Sequence, residues 1–301
     1  MESKLLKKYD NGNVNVEIYE DGTRIMDIPD GEDMKLDMPL SVDLNISNRC
    51  ENGCAFCYQN CTKEGEVADF SKMDYLYDMV EGSEIAINLQ FPLPEGLEDW
   101  LTNMRTLGVI VNATVNQLDL QNHGRFNKIE WLQREGLITG LGISYRDEWL
   151  MNQLLGCHFG NIVIHMINGV HSIEEILKVS QKGFNVLVLG YKTVGKGVEF
   201  EKGNKDLEQI LLRNKLRAGE LVLKAGGIIS FDNLSITQLD MKQVVSSKVW
   251  DECYQGEEGT SSFYVNGVDN TFALNSLVEQ KDMMKRDGKT ISEMFEKVKS
   301  L

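Results

Sequence analysis

The sequence predicts an α/β fold built on a largely parallel β-sheet. Strand-like and helix-like segments alternate from about residue 41 to residue 219. The strand segments are apolar runs, which is typical of strands covered on both faces or closed into a barrel. Most are followed by segments with helical spacing, so we expect parallel strands joined by right-handed crossovers.

Six strand–helix units follow one another in this region. The predicted strands are residues 41–47, 84–90, 109–116, 138–145, 161–168 and 185–191. The predicted helices are residues 70–80, 97–108, 128–136, 148–156, 172–183 and 207–219. Ser172 and Glu175 have the spacing of a capping box at the start of the fifth helix. Gly108 and Gly136 are helix stop signals.

The two ends of the chain follow a different pattern. Alternating apolar residues flank Asp21-Gly22 in residues 14–28, which predicts a β-hairpin. We therefore expect an N-terminal hairpin flap (residues 1–40), a core (residues 41–220) and a C-terminal β segment with a helix (residues 221–301). In the last part, residues 226–234 and 261–274 resemble strands, and residues 290–301 resemble an amphipathic helix.

Composition restricts the class of partner. The chain has 301 residues and a formal net charge of −15, with a pI near 4.8. Duplex nucleic acid is a poor partner for such a surface, whereas a small molecule, a peptide or a basic protein segment fits the charge. No apolar stretch is long enough to span a bilayer, and the first residues are too polar for a signal peptide. We expect a cytoplasmic protein without a membrane partner.

The cysteines are unevenly distributed along the chain. Four of the six lie within twelve residues, at positions 50, 54, 57 and 61, while Cys157 and Cys253 stand alone. A disulfide framework is not expected in a cytosolic chain of this length. The group follows the first core strand and therefore falls at the carboxyl end of the sheet, where ligands bind in such folds.

Cys50, Cys54 and Cys57 can converge on one face of a small loop, with Gly53 permitting a tight bend. Such thiolates suit either an iron–sulfur cluster or zinc. Cys61 could be a fourth ligand, which keeps the zinc alternative open. Against zinc, the chain has no second Cys or Cys/His pair at finger-like distance, and Phe56 offers the apolar wall that a cluster requires.

This cysteine spacing, the aromatic Phe56, the preceding strand and the six-unit rhythm resemble the radical SAM superfamily over about residues 41–200. The resemblance implies a partial (βα)6 TIM-like barrel. It implies a 4Fe-4S cluster held by Cys50, Cys54 and Cys57, whose open iron binds S-adenosyl-L-methionine. It further implies reductive cleavage of that cosubstrate to a 5′-deoxyadenosyl radical, with electrons from a donor such as flavodoxin or ferredoxin.

The resemblance also implies a set of polar residues at strand ends that contact the cosubstrate. They are Gln90, Asn116, Ser144, Arg146 and Tyr191. The chain departs from the family where a Gly-Gly-Glu-like segment normally follows the second strand, because it has Asn88-Leu89-Gln90-Phe91-Pro92 there. We expect an amide oxygen of Asn88 or Gln90 to meet the cosubstrate amine instead.

Other candidate residues lie farther along the chain. Cys253 is a candidate hydrogen-atom donor, and His165 is a candidate inward-facing residue of the fifth strand. Three polar residues of the C-terminal part are candidates for facing the substrate: Asp232, Asn233 and Tyr264. Gly195 and Gly197 form a flexible loop that is a weak phosphate-binding signature.

The sequence does not identify the substrate. A peptide or protein side chain is the first hypothesis, and a small metabolite or nucleoside is the second. Only two cysteines follow residue 61, so no cysteine-rich auxiliary-cluster domain is expected. A hypothesis of another class is a binding protein without turnover, stabilised by zinc or by an iron–sulfur cluster.

Overall fold

The computed structural model describes residues 4–20, 23–154, 156–157, 159–254 and 256–301. Its strands form two sheets, one of three strands and one of ten. The strands are β1 Leu5–Asn11, β2 Val14–Tyr19, β3 Arg24–Asp27, β4 Ser41–Asn45, β5 Glu84–Asn88, β6 Ile110–Asn116, β7 Leu141–Ser144, β8 Ile162–Ile167, β9 Asn185–Leu189, β10 Ile229–Phe231, β11 Ser262–Asn266, β12 Thr271–Ala273 and β13 Met284–Lys285.

Helices connect most of the parallel strands. They are α1 Leu97–Thr106, α2 Gln117–Leu120, α3 His123–Arg134, α4 Trp149–Leu154, α5 Ile173–Gln181, α6 Lys196–Gly203, α7 Leu207–Arg217, α8 Gly219–Lys224, α9 Asn233–Leu239, α10 Met241–Val244, α11 Ser247–Cys253 and α12 Ile291–Lys299. Three short 3₁₀ turns occupy Phe70–Lys72, Asp74–Asp78 and Gln280–Asp282. Within the described part of the chain, no helix combines the length and apolarity needed to cross a membrane.

The large sheet has the order β10-β9-β8-β7-β6-β5-β4-β11-β12-β13. Strands β4 to β9 are neighbours in chain order and all pair in parallel, as the alternating pattern predicts. β10 adds to β9 in parallel, while β11 adds to the other side of β4, also in parallel. The α/β fold with a large parallel-rich sheet is therefore confirmed, and the sheet stays open between β10 and β13.

The segment at residues 70–80 differs from the predicted α-helix. It forms two 3₁₀ turns, the first capped by Asp69, whose side chain accepts from the backbone nitrogen of Ser71 at 3.1 Å. The buried side chains Met73, Leu76 and Met79 recur every three residues, which fits the three-residue period of a 3₁₀ helix.

The C-terminal strand prediction is also only partly correct. Only Ile229–Phe231 of residues 226–234 is extended. The chain then turns into α9, because the side chain of Asp232 accepts from the backbone nitrogen of Ser235 at 2.7 Å as an N-cap. The hairpin predicted at residues 261–274 is present as β11 and β12, and the last helix is present as α12.

The N-terminal hairpin is present as β2 paired with β3, although its Asp21-Gly22 turn lies outside the described residues. β1 adds a third strand that the sequence pattern did not predict. Asn11 joins this sheet to the chain entering β4, because its side-chain oxygen accepts from the backbone nitrogen of Met38 at 2.9 Å and its amide donates to the Met38 carbonyl at 2.8 Å. The boundaries at residues 40 and 220 stay predictions.

Aromatic packing attaches α12 to the added strands β11 and β12. Phe263 on β11 lies 6.4 Å from Phe272 on β12 and 6.0 Å from Phe295 on α12, measured between ring centroids. Phe272 and Phe295 are fully buried. This cluster holds the C-terminal strands in the same core as β4.

We expect Phe272→Ala to lower the free energy of unfolding by about 3–5 kcal/mol, because it leaves a cavity beside Phe263 and Phe295. Leu223→Ala is the matched control, since Leu223 is 83% exposed. The control should change the free energy by no more than about 0.5 kcal/mol. Denaturant titration followed by circular dichroism measures both, and equal effects of the two substitutions would contradict the described packing.

Candidate functional site

The cysteine loop connects β4 to β5 at the carboxyl end of the parallel sheet. Cys50, Cys54 and Cys57 are half-buried there, and none of them is in a disulfide. The backbone nitrogen of Cys50 donates to Thr62 O at 2.8 Å, and that of Cys57 donates to Cys54 O at 3.3 Å. The loop is therefore closed on itself by backbone hydrogen bonds.

A buried carboxylate anchors one side of this loop. Asp119, only 1% exposed, accepts from Asn52 Nδ2 at 2.9 Å and from Arg125 Nη1 at 2.8 Å. Arg125 also forms an ion pair with Glu51. Asp119 belongs to a capping box with Asn116 at the start of α2. Sequence reasoning missed this anchor, although the spacing of Asn116 and Asp119 was an available signal.

The amides at the end of β5 hold the other side of the loop. Asn88 Oδ1 accepts from the backbone nitrogen of Ile46 at 3.2 Å, and its Nδ2 donates to Ser47 O at 3.1 Å. The Gln90 amide is best satisfied with its nitrogen toward the loop, donating to Ser47 O at 2.7 Å and to Arg49 O at 3.1 Å. Both side chains thus bind the backbone that leads into Cys50.

The environments of the three thiols differ. Asn116 Nδ2 donates to Cys54 Sγ at 3.4 Å. Burial raises the pKa of both Cys50 and Cys54, and the nearby Arg146 opposes this at Cys54. The pKa of Cys57 is lowered to about 6, chiefly by a hydrogen bond from the Cys61 thiol. Cys61 is buried, and its own pKa is raised by the same bond.

These residues fit an iron–sulfur cluster by their chemistry. Three thiols share one loop, and hydrogen-bond donors reach two of the sulfurs. Phe56 packs edge-on against Phe200 at 5.6 Å, which supplies an apolar wall. Among the described residues, no group of three or more His, Cys, Asp or Glu side chains is already arranged to hold a metal ion.

Two of the predicted cosubstrate residues share one edge of the sheet with Cys54. Asn116 on β6 is in register with Ser144 on β7, and both face the side of the sheet opposite its buried core. Arg146 follows two residues later with an exposed side chain and lies near Cys54. The structure therefore brings together a thiol, an amide, a hydroxyl and a guanidinium.

The chain after β9 closes over the cysteine loop. Lys196 donates from its backbone nitrogen to Cys57 O at 3.0 Å and from Nζ to Cys61 O at 2.6 Å. At Gly195, a Cβ atom would lie 2.3 Å from Tyr58 O, so this close approach requires glycine. These contacts show a packing role for a glycine that the sequence suggested as part of a phosphate loop.

Tyr191 is buried beside this loop. Its hydroxyl donates to Gly197 O at 2.5 Å. Its backbone nitrogen donates to Gln238 Oε1 at 2.9 Å, and its carbonyl accepts from Gln238 Nε2 at 2.8 Å. In this conformation both backbone groups are already bonded, and the ring packs against Phe200 with 6.1 Å between ring centroids.

The remaining candidates are dispersed. Cys253 is exposed at the end of α11, away from the contacts described for the cysteine loop. Asp232 is the N-cap of α9, and Asn233 is its first residue. Tyr264 on β11 lies opposite Asp43 on β4. Sequence reasoning missed Asp43, which has no distinguishing local motif.

His165 on β8 faces the side of the sheet opposite its buried core. Its ring covers Gly142, where a Cβ atom would lie 2.4 Å from Cε1. Among the described residues its ring nitrogens have no hydrogen-bond partner, and burial lowers its pKa to about 4. The glycine on β7 therefore makes room for a neutral imidazole.

Comparison with known proteins identifies the fold. No protein-family model and no curated protein matches the chain. Among solved structures, Streptococcus suis SuiB bound to S-adenosylmethionine matches with a TM-score of 0.57 and 13% identity, over 88% of this chain and 68% of that chain. The two proteins share a fold. An aldo-keto reductase from a deep-sea metagenome, MGS-M4, matches with a TM-score of only 0.29 and 8% identity, over 82% of this chain and 93% of that chain.

We expect the stability of the protein to fall as the pH drops from about 6.5 to about 4, partly through His165. The unfolded chain takes up the His165 proton near its ordinary pKa of about 6.5. The folded protein does so only at about 4, so the unfolded state binds more protons in this window and is favoured as pH falls.

His165→Gln should flatten this pH dependence, measured as melting temperature or denaturant midpoint at successive pH values. The control is His123→Gln, because His123 is exposed on α3. An unchanged slope in the His165 variant would contradict the burial of a neutral imidazole.

Proposed function

We propose that the chain is a radical SAM-type enzyme. It would hold a 4Fe-4S cluster through Cys50, Cys54 and Cys57 and bind S-adenosyl-L-methionine beside it. The observation that carries the proposal is the position of the three-cysteine loop, directly after the first of six parallel strands, in a fold shared with a protein bound to S-adenosylmethionine. The finer description of the sheet as a partial (βα)6 barrel belongs to the same proposal.

The chain's own residues have separable roles in this proposal. Asn116 donates to the sulfur of Cys54 and would stabilise its thiolate form. Arg146 is exposed near the same thiol and would pair with the cosubstrate carboxylate, for which a guanidinium is the preferred partner. Ser144 offers a hydroxyl on the neighbouring strand that could bond the ribose.

The segment after β5 would act differently from the family's glycine-rich segment. Because the Gln90 nitrogen points at the loop backbone, its amide oxygen faces Asn88 Nδ2 at 2.9 Å. Gln90 and Asn88 would therefore position the loop first, and the Gln90 oxygen would meet the cosubstrate amine through its second lone pair. Tyr191 would offer its ring at the opposite wall.

Cys50, Cys54 and Cys57 would hold the cluster, which would supply the electron for reductive cleavage of the cosubstrate to methionine and a 5′-deoxyadenosyl radical. The protein's part is to orient the cosubstrate and exclude water from the reacting atoms. The electron would come from a reducing partner such as flavodoxin or ferredoxin.

A peptide or protein side chain is the favoured substrate, with a small metabolite or nucleoside as the alternative. Cys253 would need to move toward the site to donate a hydrogen atom.

The proposal is tested by anaerobic reconstitution with iron and sulfide, reduction with dithionite and addition of S-adenosyl-L-methionine. We expect bound iron and sulfide and formation of 5′-deoxyadenosine. Changing Cys50, Cys54 or Cys57 singly to Ala should abolish 5′-deoxyadenosine and most of the bound iron, because each removes one of three ligands. Metal analysis and liquid chromatography provide the two measurements.

Cys157→Ala is the matched control for these variants. Cys157 lies outside the loop, and its thiol donates to Gln153 O at 3.1 Å. The Cys157→Ala protein should retain its bound iron and still form 5′-deoxyadenosine. A wild-type protein that takes up one zinc, stays colourless and forms no product would instead support a zinc-stabilised binding protein.

Cys61 distinguishes a three-ligand from a four-ligand site. Its thiol bonds Cys57, which we interpret as hydrogen-bond support of a ligand. Cys61→Ser should therefore keep most of the iron and retain measurable product, since a hydroxyl can still donate to the sulfur. Loss of metal equal to that of Cys57→Ala would identify Cys61 as a ligand and contradict an open iron.

A further inference from the structure

A group of charged side chains lies beside the cysteine loop, on the face of the large sheet opposite its buried core. Asp43 projects from the middle of β4, between Val42 and Leu44, which are buried in the core on the other face. The neighbouring position on β5 in register with Asp43 is the small Ala86. Asp43 therefore faces a space that neighbouring side chains do not fill.

Lys192 connects this space to the cysteine loop. Its ammonium lies 4.0 Å above the ring of Tyr58, the residue that follows Cys57. It also donates to Ser276 Oγ at 2.8 Å. Asp43, Asp232 and Glu258 all lie near enough to favour its charged form, yet none of the three forms an ion pair with it among the described residues.

The carboxylates consequently outnumber the cations. Asp43, Asp232 and Glu258 all act on one lysine. Asp232 already accepts from the backbone nitrogens of Gly190 and Ser235, whereas Asp43 has neither a hydrogen bond nor an ion pair among the residues that the structure describes. Desolvation raises the pKa of Asp43 and of Glu258, and the nearby Asp232 raises both further. Asp43 stays accessible, so a cation that reached it would relieve the repulsion among these carboxylates.

A groove of about 410 Å³ has Glu257 and Glu258 in its lining. Trp250 and Tyr254 form one side of the groove, with their rings stacked at 4.4 Å between centroids. Lys242 also lines the groove, and its ammonium already lies 5.5 Å from the centre of the Trp250 ring. Aromatic faces and carboxylates together are the surfaces that bind ammonium and guanidinium groups in proteins.

We infer that the substrate of this site is held by a cationic group, an ammonium or a guanidinium, between Asp43, Asp232 and Glu258. The substrate enters along the Trp250–Tyr254 groove. This inference rests on the proposed function, which is the reason for calling the bound cation a substrate. Tyr58, whose ring lies under Lys192, follows Cys57 directly and so joins the cation site to the cysteine loop. A basic side chain of a peptide and a free alkylamine share this chemistry.

Calorimetry on the full chain tests the inference without cluster or turnover, so its outcome is independent of whether 5′-deoxyadenosine forms. The probes are three blocked pentapeptides that carry lysine, arginine or norleucine at the centre of an otherwise alanine sequence, together with cadaverine. We expect the lysine or arginine peptide to bind at least about tenfold more tightly than the norleucine peptide. Tighter binding of cadaverine than of either peptide would assign the site to a free amine.

Asp43→Asn and Glu258→Gln should each weaken binding of the preferred cation by about tenfold. Asp99→Asn, which removes an equal charge from an exposed position on α1, should not. Binding of S-adenosyl-L-methionine, measured on protein reconstituted with the cluster, should be unchanged in the Asp43 and Glu258 variants. Equal binding of lysine and norleucine peptides with no cadaverine binding, or a loss confined to S-adenosyl-L-methionine, would overturn the inference.

Discussion

The candidate site depends on a loop of unpaired thiols being held rigidly at the carboxyl end of a parallel sheet. The buried carboxylate of Asp119 makes this possible, because it bonds Asn52 within the loop and Arg125 behind it. The amides of Asn88 and Gln90 hold the opposite side through the carbonyls of Ser47 and Arg49. Since irregular backbone has no ladder of its own, side-chain hydrogen bonds set its conformation.

The C-terminal segment completes this arrangement. β11 inserts beside β4 in parallel, and the packing of Phe263 against Phe272 and Phe295 secures it. Tyr264 thereby comes opposite Asp43, and Lys192 donates to Ser276 in the C-terminal segment. A segment that lies outside the alternating pattern thus forms a wall of the space in which we place the substrate cation.

Much of the fold was predictable from local pattern. The alternation of apolar strand-like runs with helix-like segments predicted β4 to β9, because neighbouring parallel strands need crossover connections. The Ser172–Glu175 spacing predicted the start of α5, and both reciprocal hydrogen bonds of the capping box are present. The 3₁₀ turns at residues 70–78 were not predictable in the same way, since apolar spacing of three to four residues fits either helix type.

The sequence alone determined the α/β class, the position of the cysteine loop after the first core strand and the polar residues at the strand ends, because these depend on residue type and order along one segment. Only the tertiary structure decided that the sheet stays open, that β11 pairs with β4 and that Asp43, Asp232 and Glu258 come near Lys192. The first and last of those four residues, Asp43 and Glu258, lie more than two hundred positions apart in the chain. Their proximity follows from strand order and packing, which no local pattern encodes.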